Sequence, residues 1–382
     1  MKKVCAISTI DMTMSSFVVD AMCALQQQED VKITLACSMS DAFYEKYKGV
    51  FHCVDIPMSR GVNLLDIVKS TYAFYKLFKK EKFDYVQYAT PNASLYASMA
   101  ATFAGVKKRV YCQWGIRYVG FQGKSRWLFK QLEKLICRLS THIRSASQKN
   151  LDFAVNEGLY KVEKASIIGN GGTIGVDSRL YDITKRVELN SIVLEQYPSL
   201  KGKTVFGFVG RMDRDKGVNE LFDAFLKIAI RDTNIALLMI GPMDKADGID
   251  ENLLKQAKAS QQIVFTGYTN EVFKYMAAMD VLVHPSYREG FSMVIQQAMF
   301  MGVTILTTDI PGPSEVIEAG VSGLLVPARE SDMLTEKMKI LAKNCYLREK
   351  LARAGYERAT KLFNRQRMIE LTVKDRIQIL NS

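Results

Sequence analysis

Short apolar runs alternate with amphipathic stretches along the whole chain, and this pattern predicts the elements of the fold. Strands buried on both faces appear as continuous apolar runs, and crossover helices repeat about every 3.6 residues, so the alternation is typical of parallel sheets covered by helices. In the first half, the predicted strands are 4–8, 32–38, 51–56, 84–89, 109–114 and 142–146. In the second half, they are 204–210, 236–241, 263–267, 281–286 and 304–308, and helical patterns follow over 330–344 and 346–379. The sequence therefore predicts an α/β protein.

The length of the chain indicates two domains. Its 382 residues exceed what one hydrophobic core usually organises. Mixed polar sequence with Pro198 and Gly202 over 178–203 predicts a linker and lead-in to the second series of strands. We assign two Rossmann-like domains and a terminal helix, for which packing back onto the first domain is one arrangement, with the boundaries 1–185, 186–360 and 361–382.

Composition narrows the class of protein further. The chain is 48% hydrophobic and 24% charged, and it has no run of about 18 apolar residues that would span a membrane. The first residues are interpreted as a strand rather than a signal peptide, because Asp11 interrupts their apolar run. The seven cysteines are scattered and form no Cys-x-x-Cys pair, so neither a disulfide framework nor a zinc site is predicted. We expect a cytoplasmic protein.

The positive charge is concentrated in one segment. The net charge is +12, and residues 101–150 hold eleven Lys and Arg against one acid, Glu133. Such a segment attracts phosphates on nucleic acid, on lipid headgroups or on an anionic substrate. Within it, 124–144 predicts a basic amphipathic helix, whose apolar stripe is Leu128, Leu132, Leu135 and Leu139.

Two interpretations of this helix remain open. In the first, the apolar stripe packs on the sheet of the N-terminal domain and the basic side chains lie in water. In the second, Trp127 and Phe129 beside the stripe also enter an anionic membrane surface, which would make the protein peripheral on the inner face of the plasma membrane.

Candidate chemistry lies where strands end, because ligands of open α/β sheets bind outside the carboxyl ends of strands. The strand that ends at Gly210 is followed by Arg211, Lys216 and Gly217 before a helix expected from Val218. A guanidinium and an ammonium in such a loop can hold a diphosphate while glycine lets the backbone approach it. The alternative is a solvated loop with ordinary charges.

A second candidate loop follows the strand at 281–286. Glu289 and Gln297 flank a helix expected to start close to Ser292, where the N–H groups of Phe291, Ser292 and Met293 would face an anion. The alternative is a carboxylate that only caps the helix. Two glycine-containing stretches, 167–177 with Asn170 and 237–244 with Gly241, are weaker signals of the same kind.

These segments, in this order, resemble the retaining GT-B glycosyltransferases of the large bacterial family that assembles capsules and O-antigens. The family's Gly-Arg-x-x-x-x-Lys-Gly loop matches 210–217, and its Glu-Gly-Phe-(Gly/Ser) stretch matches 289–292. The resemblance implies two Rossmann-like domains facing a cleft. It also implies that Arg211 and Lys216 hold the donor pyrophosphate and that Glu289 accepts hydrogen bonds from the donor hexose.

The resemblance also assigns further residues and shows departures from the family. The family's second glutamate, which binds the ribose, is replaced by Gln297, and Tyr268 is expected near the base. On the acceptor side, the first loop has 10–16 in place of a glycine-rich sequence, and Gln113-Trp114 stands where many relatives have a histidine. The complete implied set for the donor is Gly210, Arg211, Lys216, Gly241, Tyr268, Glu289, Gly290, Phe291, Ser292, Met293 and Gln297. For the acceptor it is Ser15, Ser16, Trp114, Arg117 and Asn170.

The implied function is retaining transfer of a hexose or N-acetylhexosamine from a UDP- or GDP-sugar to a lipid-linked saccharide. No cofactor is implied, and without an Asp-x-Asp motif near the site no metal is expected. His284 is interpreted as structural. Three alternatives are an inactive homologue that serves as an assembly partner, a nucleotide-sugar epimerase and a nucleic-acid binder. The last two lack, respectively, an acid–base set at the sugar and a recognised binding module, so no nucleic-acid partner is expected.

Overall fold

The structure is a computed structural model that describes residues 1–58, 64–243 and 248–382. It contains two compact units. The first comprises 1–174 together with 366–382, and the second comprises 175–365. The divisions expected from the sequence fall at 185/186 and 360/361.

The first unit is built on a parallel sheet of seven strands, in the order β3-β2-β1-β4-β5-β6-β7. Its central strands are almost wholly apolar and buried, as in β1, where Val4, Ala6 and Ile7 are 0–1% exposed, because helices cover both faces of the sheet. The strands are β1 (Lys2–Ile10), β2 (Val31–Ser38), β3 (His52–Asp55), β4 (Tyr85–Ala89), β5 (Lys108–Gln113), β6 (His142–Ser145) and β7 (Ala165–Ile167).

Helices connect these strands and cover the two faces of the sheet. They are α1 (Asp11–Phe17), α2 (Val19–Gln28), α3 (Asp41–Tyr47), α4 (Leu64–Glu81), α5 (Pro91–Ala104), α6 (Gly123–Leu139) and α7 (Gln148–Asn156). Phe74, Tyr88 and Ile136 belong to the core on one face of the sheet. Met22 and Leu35 belong to the core on the other face.

The second unit contains a parallel sheet of six strands in the order β10-β9-β8-β11-β12-β13. Its core includes Phe206, Phe222 and Leu237. The strands are β8 (Thr204–Val209), β9 (Ile235–Ile240), β10 (Ile263–Gly267), β11 (Val281–His284), β12 (Thr304–Thr308) and β13 (Leu324–Val326). The helices are α8 (Arg186–Gln196), α9 (Val218–Ala229), α10 (Glu251–Ala259), α11 (Val272–Met276), α12 (Met293–Phe300), α13 (Pro313–Val316), α14 (Ser331–Lys343) and α15 (Cys345–Leu362).

The predicted α/β class with two parallel sheets is confirmed, and two local predictions are wrong. The predicted linker at 178–203 contains α8, which is held to the second unit because the Arg186 guanidinium donates to the carbonyls of Met279 at 2.7 Å and Gly302 at 2.7 Å. A side chain that satisfies backbone carbonyls in this way fixes a segment that its polar composition alone suggested was a linker.

The helical pattern predicted at 346–379 is also interrupted. The chain leaves α15 at Phe363, and α16 (Arg365–Asn381) follows. At the break, Val176 N–H donates to Phe363 O at 2.8 Å and Arg365 N–H donates to Val176 O at 3.0 Å, so these bonds replace helical ones. Helix α16 packs on the first unit, where Arg376 is buried and donates to Gln87 Oε1 at 2.9 Å.

None of the helices in the described part of the chain combines the length and the apolar character needed to cross a bilayer.

Candidate functional site

Three glycines lie side by side at the carboxyl edge of the second sheet. Gly210 N–H donates to Ile240 O at 2.9 Å, and Gly241 N–H donates to Gly267 O at 2.9 Å. Gly241 has φ +134°, and a Cβ at this position would collide with the carbonyl oxygen of Gly210. Gly241 therefore lets the ends of β8 and β9 approach more closely than a larger residue would allow.

The loop after β8 presents Lys216 at the start of α9. A single 3₁₀ turn, Arg214–Lys216, is capped by Asp213, whose carboxylate accepts from Lys216 N–H at 3.2 Å. Gly217 then adopts the left-handed conformation with φ +69°, and a Cβ there would meet the carbonyl oxygen of Pro285. Only glycine fits such a position without strain. The loop is therefore pressed against the segment that follows β11.

Lys216 and Glu289 meet at this contact between the two loops. The Lys216 ammonium forms an ion pair with Glu289 Oε1. The same carboxylate oxygen lies 3.3 Å from His284 Nε2 and 3.4 Å from Ser286 Oγ. The side chains of Lys216 and Glu289 are 23% and 19% exposed, so the pair is accessible to a ligand but largely withdrawn from water.

The surroundings of Glu289 keep its carboxyl group ionised. Burial acts to raise its pKa, but the Lys216 charge and the His284 hydrogen bond outweigh burial and hold the pKa well below the ordinary value. A carboxylate only accepts hydrogen bonds, so the Nε2 that faces it carries a proton. An ionised carboxylate next to an ammonium offers an acceptor for sugar hydroxyls beside a donor for phosphate oxygens.

Two further pairs fasten the same loops together, and the sequence analysis did not find them. Asp215 Oδ2 accepts from Arg288 at 2.9 Å and 2.8 Å, and Asp215 O accepts from Tyr287 N–H at 2.9 Å. Tyr287 also donates through its hydroxyl to Glu220 Oε1 at 2.5 Å. The sequence signal that could have indicated the Asp215–Arg288 pair is that each residue directly precedes a site residue. Asp215 precedes Lys216, and Arg288 precedes Glu289.

His284 is buried at the end of β11, and its Nε2 contacts the Glu289 carboxylate. Its Nδ1 lies 3.4 Å from Thr307 Oγ1, and its Nε2 lies 3.2 Å from Ser292 Oγ. Thr307 Oγ1 also donates to the His284 carbonyl at 2.9 Å. The ring is thus oriented by the neighbouring strand β12 and by the residue that caps α12. His284 therefore helps to position the Glu289 carboxylate.

Helix α12 begins directly after the Glu289 segment. Ser292 is its N-cap and accepts from Ile295 N–H at 3.5 Å, so the helix starts close to Ser292, as expected, with Met293 as its first residue. Phe291 is buried, with its ring 5.4 Å from that of Phe363. Gly290 lies between Glu289 and this anchor. The N-terminus of α12 lies beside Glu289, because Ser292 Oγ and Glu289 Oε1 lie 3.2 Å and 3.3 Å from the same nitrogen, His284 Nε2.

The remaining donor-side candidates lie farther from the ion pair. Arg211 is 69% exposed and pairs with Asp213 at 3.1 Å rather than with Glu289. Tyr268 is 64% exposed, and its hydroxyl donates to Asn270 Oδ1 at 2.7 Å. Gln297 is half-buried on α12 and has no side-chain hydrogen bond among the residues that the structure describes. The structure thus groups Lys216, Glu289 and the start of α12, whereas Arg211 and Tyr268 extend into solvent.

The acceptor-side candidates lie in the first unit. Trp114 packs on the core with its ring 5.3 Å from that of Phe17. Arg117 donates to Asn92 Oδ1 at 3.3 Å, and its guanidinium lies 4.7 Å from the centre of the Phe129 ring. Ser15 and Ser16 lie on α1, and Asn170 is exposed in the loop after β7.

The basic segment 124–144 forms a helix only in its first part, so the prediction of one helix to Arg144 is wrong. Helix α6 ends at Leu139, and residues from His142 belong to strand β6. The predicted apolar stripe is only partly right, because Leu132 packs against the core but Leu128 is 46% and Leu135 is 36% exposed. The side chains of α6 that are fully buried are Glu133, Ile136 and Cys137.

Glu133 lies on the face of α6 that packs on the sheet. Its Oε1 accepts from Tyr111 at 2.9 Å and from Gln113 at 2.7 Å, and both partners lie on β5. Burial raises the pKa of this carboxyl, against the effect of the two donors. A buried polar contact therefore faces the sheet where the sequence pattern suggested leucines.

Two units of this kind, each a parallel sheet covered by helices, form the GT-B architecture. Among solved structures, Anabaena HepE in complex with UDP aligns with a TM-score of 0.74 and 18% identity over 99% of this chain and 100% of the other. A sucrose-phosphate synthase from Thermosynechococcus elongatus aligns with a TM-score of 0.79 and 16% identity over the full length of both. At these identities the likeness concerns the fold alone.

Family comparison gives the more specific assignment. Residues 193–358 match the family Glycosyl transferases group 1, and residues 3–147 match the family Glycosyl transferase 4-like. Both family models describe glycosyltransferases, and together they match most of the chain. The resemblance deduced from the loops at 210–217 and 289–292 is confirmed at the level of the family.

Two curated relatives are named as glycosyltransferases, one of capsular polysaccharide biosynthesis and one that acts on a diphosphoundecaprenol-linked sugar. The capsular polysaccharide biosynthesis glycosyltransferase CapM of Staphylococcus aureus is 27% identical, with 81% of each chain covered. The Escherichia coli protein named UDP-Gal:alpha-D-GlcNAc-diphosphoundecaprenol alpha-1,3-galactosyltransferase is 23% identical, with 84% of this chain and 85% of that protein covered.

Proposed function

We propose that the protein is a retaining transferase that moves a hexose or N-acetylhexosamine from a UDP- or GDP-sugar to a polyprenyl-diphosphate-linked saccharide during synthesis of a surface polysaccharide. The observation that carries this proposal is the Lys216–Glu289 pair at the start of α9 and just before α12. A cation that can bind phosphate and a carboxylate that can bind hydroxyls lie together there, as recognition of a nucleoside-diphosphate sugar requires. The name of the Escherichia coli relative supports the choice of a lipid-linked acceptor, and the name of CapM supports a role in polysaccharide synthesis.

In this proposal the cations take the negative charge that develops on the departing diphosphate. Lys216 and Arg211 hold the phosphates, with help from backbone N–H groups at the start of α12. Glu289 binds hydroxyls of the hexose and fixes the anomeric carbon. The donor must then replace the internal partner of each member of the ion pair with a phosphate or a sugar. With two cations assigned to the diphosphate, the proposal requires neither a metal ion nor another cofactor.

Retention follows in the proposal from the placement of the acceptor hydroxyl on the face from which the diphosphate leaves. The leaving phosphate oxygen can accept the proton of that hydroxyl, so no separate base from the enzyme is required. Proximity and charge stabilisation then supply the rate enhancement. Trp114, Arg117, Asn170, Ser15 and Ser16 are proposed to contact the acceptor.

A screen of nucleotide release tests the transfer proposal. The protein is incubated with UDP- and GDP-sugars, each with and without an extract of polyprenyl-diphosphate-linked saccharides, and the free nucleotide is measured. Release that depends on both donor and lipid acceptor is expected. The anomeric configuration of the product, determined by NMR, is expected to match that of the donor, and an inverted product would contradict the retaining mechanism.

We further propose that α6 attaches the protein to the inner face of the plasma membrane. Trp127 is 65% exposed and lies beside exposed Leu128, whereas Lys124 and Arg138 are exposed on the same helix. Positions three, four, seven and eleven residues apart share one face of a helix, so these side chains and Leu135 form a single outward face. An aromatic ring among cations is typical of helices that lie in a membrane interface.

Single substitutions at exposed aromatic residues test the attachment. Trp127→Ser is expected to weaken binding to vesicles that contain anionic lipid, because it removes the ring that would enter the interface. Tyr346→Ser is the matched control, since Tyr346 is 74% exposed on α15 in the other unit. Equal binding by the two variants, or no binding by the unaltered protein at low salt, would contradict the attachment.

One observation favours a second candidate function. Gln297 replaces the carboxylate that relatives are expected to use for the ribose, and one lost charge-assisted hydrogen bond costs about 1.5–3 kcal/mol. A weak or inactive transferase that serves as an assembly partner is consistent with that loss. The nucleotide screen separates the two functions, because the assembly partner releases no nucleotide from any donor.

A further inference from the structure

A basic groove lies at the far end of α6 from Lys124. The groove has a volume of about 860 Å³ and is bordered by the last turns of α6, the start of β6 and the loop that precedes β7. Its cationic lining consists of Lys134, Arg138, Lys161 and Lys164, and its one carboxylate is Glu163. The groove lies at the amino ends of β6 and β7, whereas the candidate acceptor residues Trp114 and Arg117 follow the carboxyl end of β5.

None of the four cations has an ion-pair partner among the residues that the structure describes. No carboxylate lies within 4 Å of Lys134, Arg138 or Lys161 there, although Lys130 on the same helix pairs with Glu157 at 2.7 Å. Uncompensated cations around one depression create a local positive potential. This charge distribution selects an anionic ligand.

Lys164 supplies a fixed donor in the wall of the groove. Its ammonium donates to Cys137 O at 2.9 Å and to Arg138 O at 3.0 Å, which are carbonyls in the last turn of α6. An ammonium has three N–H donors, so these two bonds leave one for a ligand. Burial lowers the pKa of Lys164, and a bound anion would offset that effect.

His142 contributes a ring nitrogen to the groove. Thr141 Oγ1 donates to Arg109 O at 3.0 Å, so its lone pair is available to the His142 Nδ1–H at 3.0 Å. This bond leaves Nε2 as an acceptor with no hydrogen-bond partner among the residues that the structure describes. His142 is a groove residue, and it therefore offers a site-specific probe of any ligand that enters.

From these observations we infer that the groove binds the phosphate of an anionic phospholipid headgroup while the outward face of α6 lies on the membrane. The inference rests on the proposed membrane attachment. Helix α6 has 17 residues, which correspond to about 25 Å at 1.5 Å per residue. Exposed Trp127 lies near one end and the groove at the other, with exposed Leu135 between them. An interfacial helix with a headgroup site at its end has a fixed direction on the membrane.

Vesicle flotation with a charge-matched control tests the site. Arg138→Gln/Lys161→Gln removes two groove cations, and Lys255→Gln/Lys258→Gln removes two exposed lysines from α10 in the other unit. Each cation near an anionic membrane contributes about 1 kcal/mol to binding, and about 1.36 kcal/mol corresponds to a tenfold change in affinity. On vesicles of phosphatidylcholine with phosphatidylglycerol, the groove double variant, which lacks two cations, is therefore expected to bind about thirtyfold more weakly than the unaltered protein. The control is expected to bind almost as the unaltered protein does.

Histidine NMR identifies the groove itself. The chain has three histidines, so the ring signals are resolved, and His142→Gln assigns the one that matters. Monomeric dihexanoyl-phosphatidylglycerol is expected to shift the His142 signal but not that of His52 on β3. The shift is expected to disappear in Arg138→Gln/Lys161→Gln, and phosphatidylcholine of the same chain length is expected to cause little shift.

The outcomes separate this inference from the proposals on which it depends. If the unaltered protein fails to bind the vesicles, both the membrane attachment and the groove are overturned, whereas sugar transfer is unaffected. If it binds but the two double variants bind equally and His142 does not shift, the groove alone is overturned. A shift of His142 at lower concentrations of inorganic phosphate or single-stranded RNA than of lipid would assign the groove to a free anion or to nucleic acid and would also overturn the inference.

Discussion

Replacement of Glu289 by glutamine tests the assigned chemistry with little change of shape. The carboxylate lies beside the Lys216 ammonium, 3.3 Å from His284 Nε2 and 3.4 Å from Ser286 Oγ. Glutamine keeps one oxygen acceptor and almost the same volume, but it removes the negative charge. Lys216 then loses its ionic partner, and the donor hexose loses a charged acceptor.

The expected loss of activity follows from the hydrogen bonds involved. A hydrogen bond to a charged group contributes about 1.5–3 kcal/mol, so loss of one such bond to the hexose corresponds to about a tenfold to a hundredfold decrease in kcat/KM. Initial rates of nucleotide release, measured with the donor and lipid acceptor that support transfer, give this ratio. Because the bond is expected to strengthen when the anomeric carbon becomes cationic, we expect most of the change in kcat.

Glu195→Gln is the control for Glu289→Gln, since Glu195 is exposed on α8 of the same unit. This control is expected to leave kcat/KM unchanged. A decrease in thermal stability of Glu289→Gln with kcat/KM within twofold of the unaltered protein would refute the reasoning, because it would show that the Lys216–Glu289 pair only holds the two loops together.

Three further results are expected. Gln297→Glu should tighten donor binding about tenfold or more, measured by calorimetry, through one added charge-assisted bond to the ribose; unchanged affinity would remove Gln297 from the site. The pKa of Glu289 is lowered by folding, so its contribution to the free energy of unfolding is present above its ordinary pKa of 4.5 and is lost as the pH falls below that value. Urea titrations from pH 6 to 3 should show the unaltered protein losing more stability than Glu289→Gln, and parallel curves would contradict this. Gly217→Ala should lower the Tm more than Gly267→Ala, because both positions have positive φ but only Gly217 faces a backbone oxygen; equal shifts would show that this close approach is unimportant.

The sequence predicted the two sheets well because buried parallel strands carry a strong apolar signal. The same signal is weak in β7 and β13, which have three residues each and were not predicted as bounded strands. The pattern also failed where a polar side chain decides the structure. Arg186 fixes a segment that resembled a linker, and Glu133 faces the sheet from α6. Hydrophobic periodicity cannot detect contacts of this kind, which depend on partners distant in the sequence.

The site was predictable only as far as its residues form motifs. Lys216 and Glu289 were singled out from their positions after strands, and the structure shows their side chains in contact. The Asp215–Arg288 pair was missed because neither residue has a distinctive local pattern, and its role appears only when the two loops are adjacent. His284 was interpreted as structural, and its contact with Glu289 adds a positioning role that sequence spacing could not show.

A crystal structure with the nucleoside-diphosphate sugar that supports turnover would test most directly the central claim, that Lys216 and Glu289 bind the donor. The account predicts that the Lys216–Glu289 pair opens, that the Lys216 ammonium contacts a phosphate oxygen and that the Glu289 carboxylate accepts hydrogen bonds from the sugar. A donor bound elsewhere, or bound with the pair between Lys216 and Glu289 still intact, would contradict it.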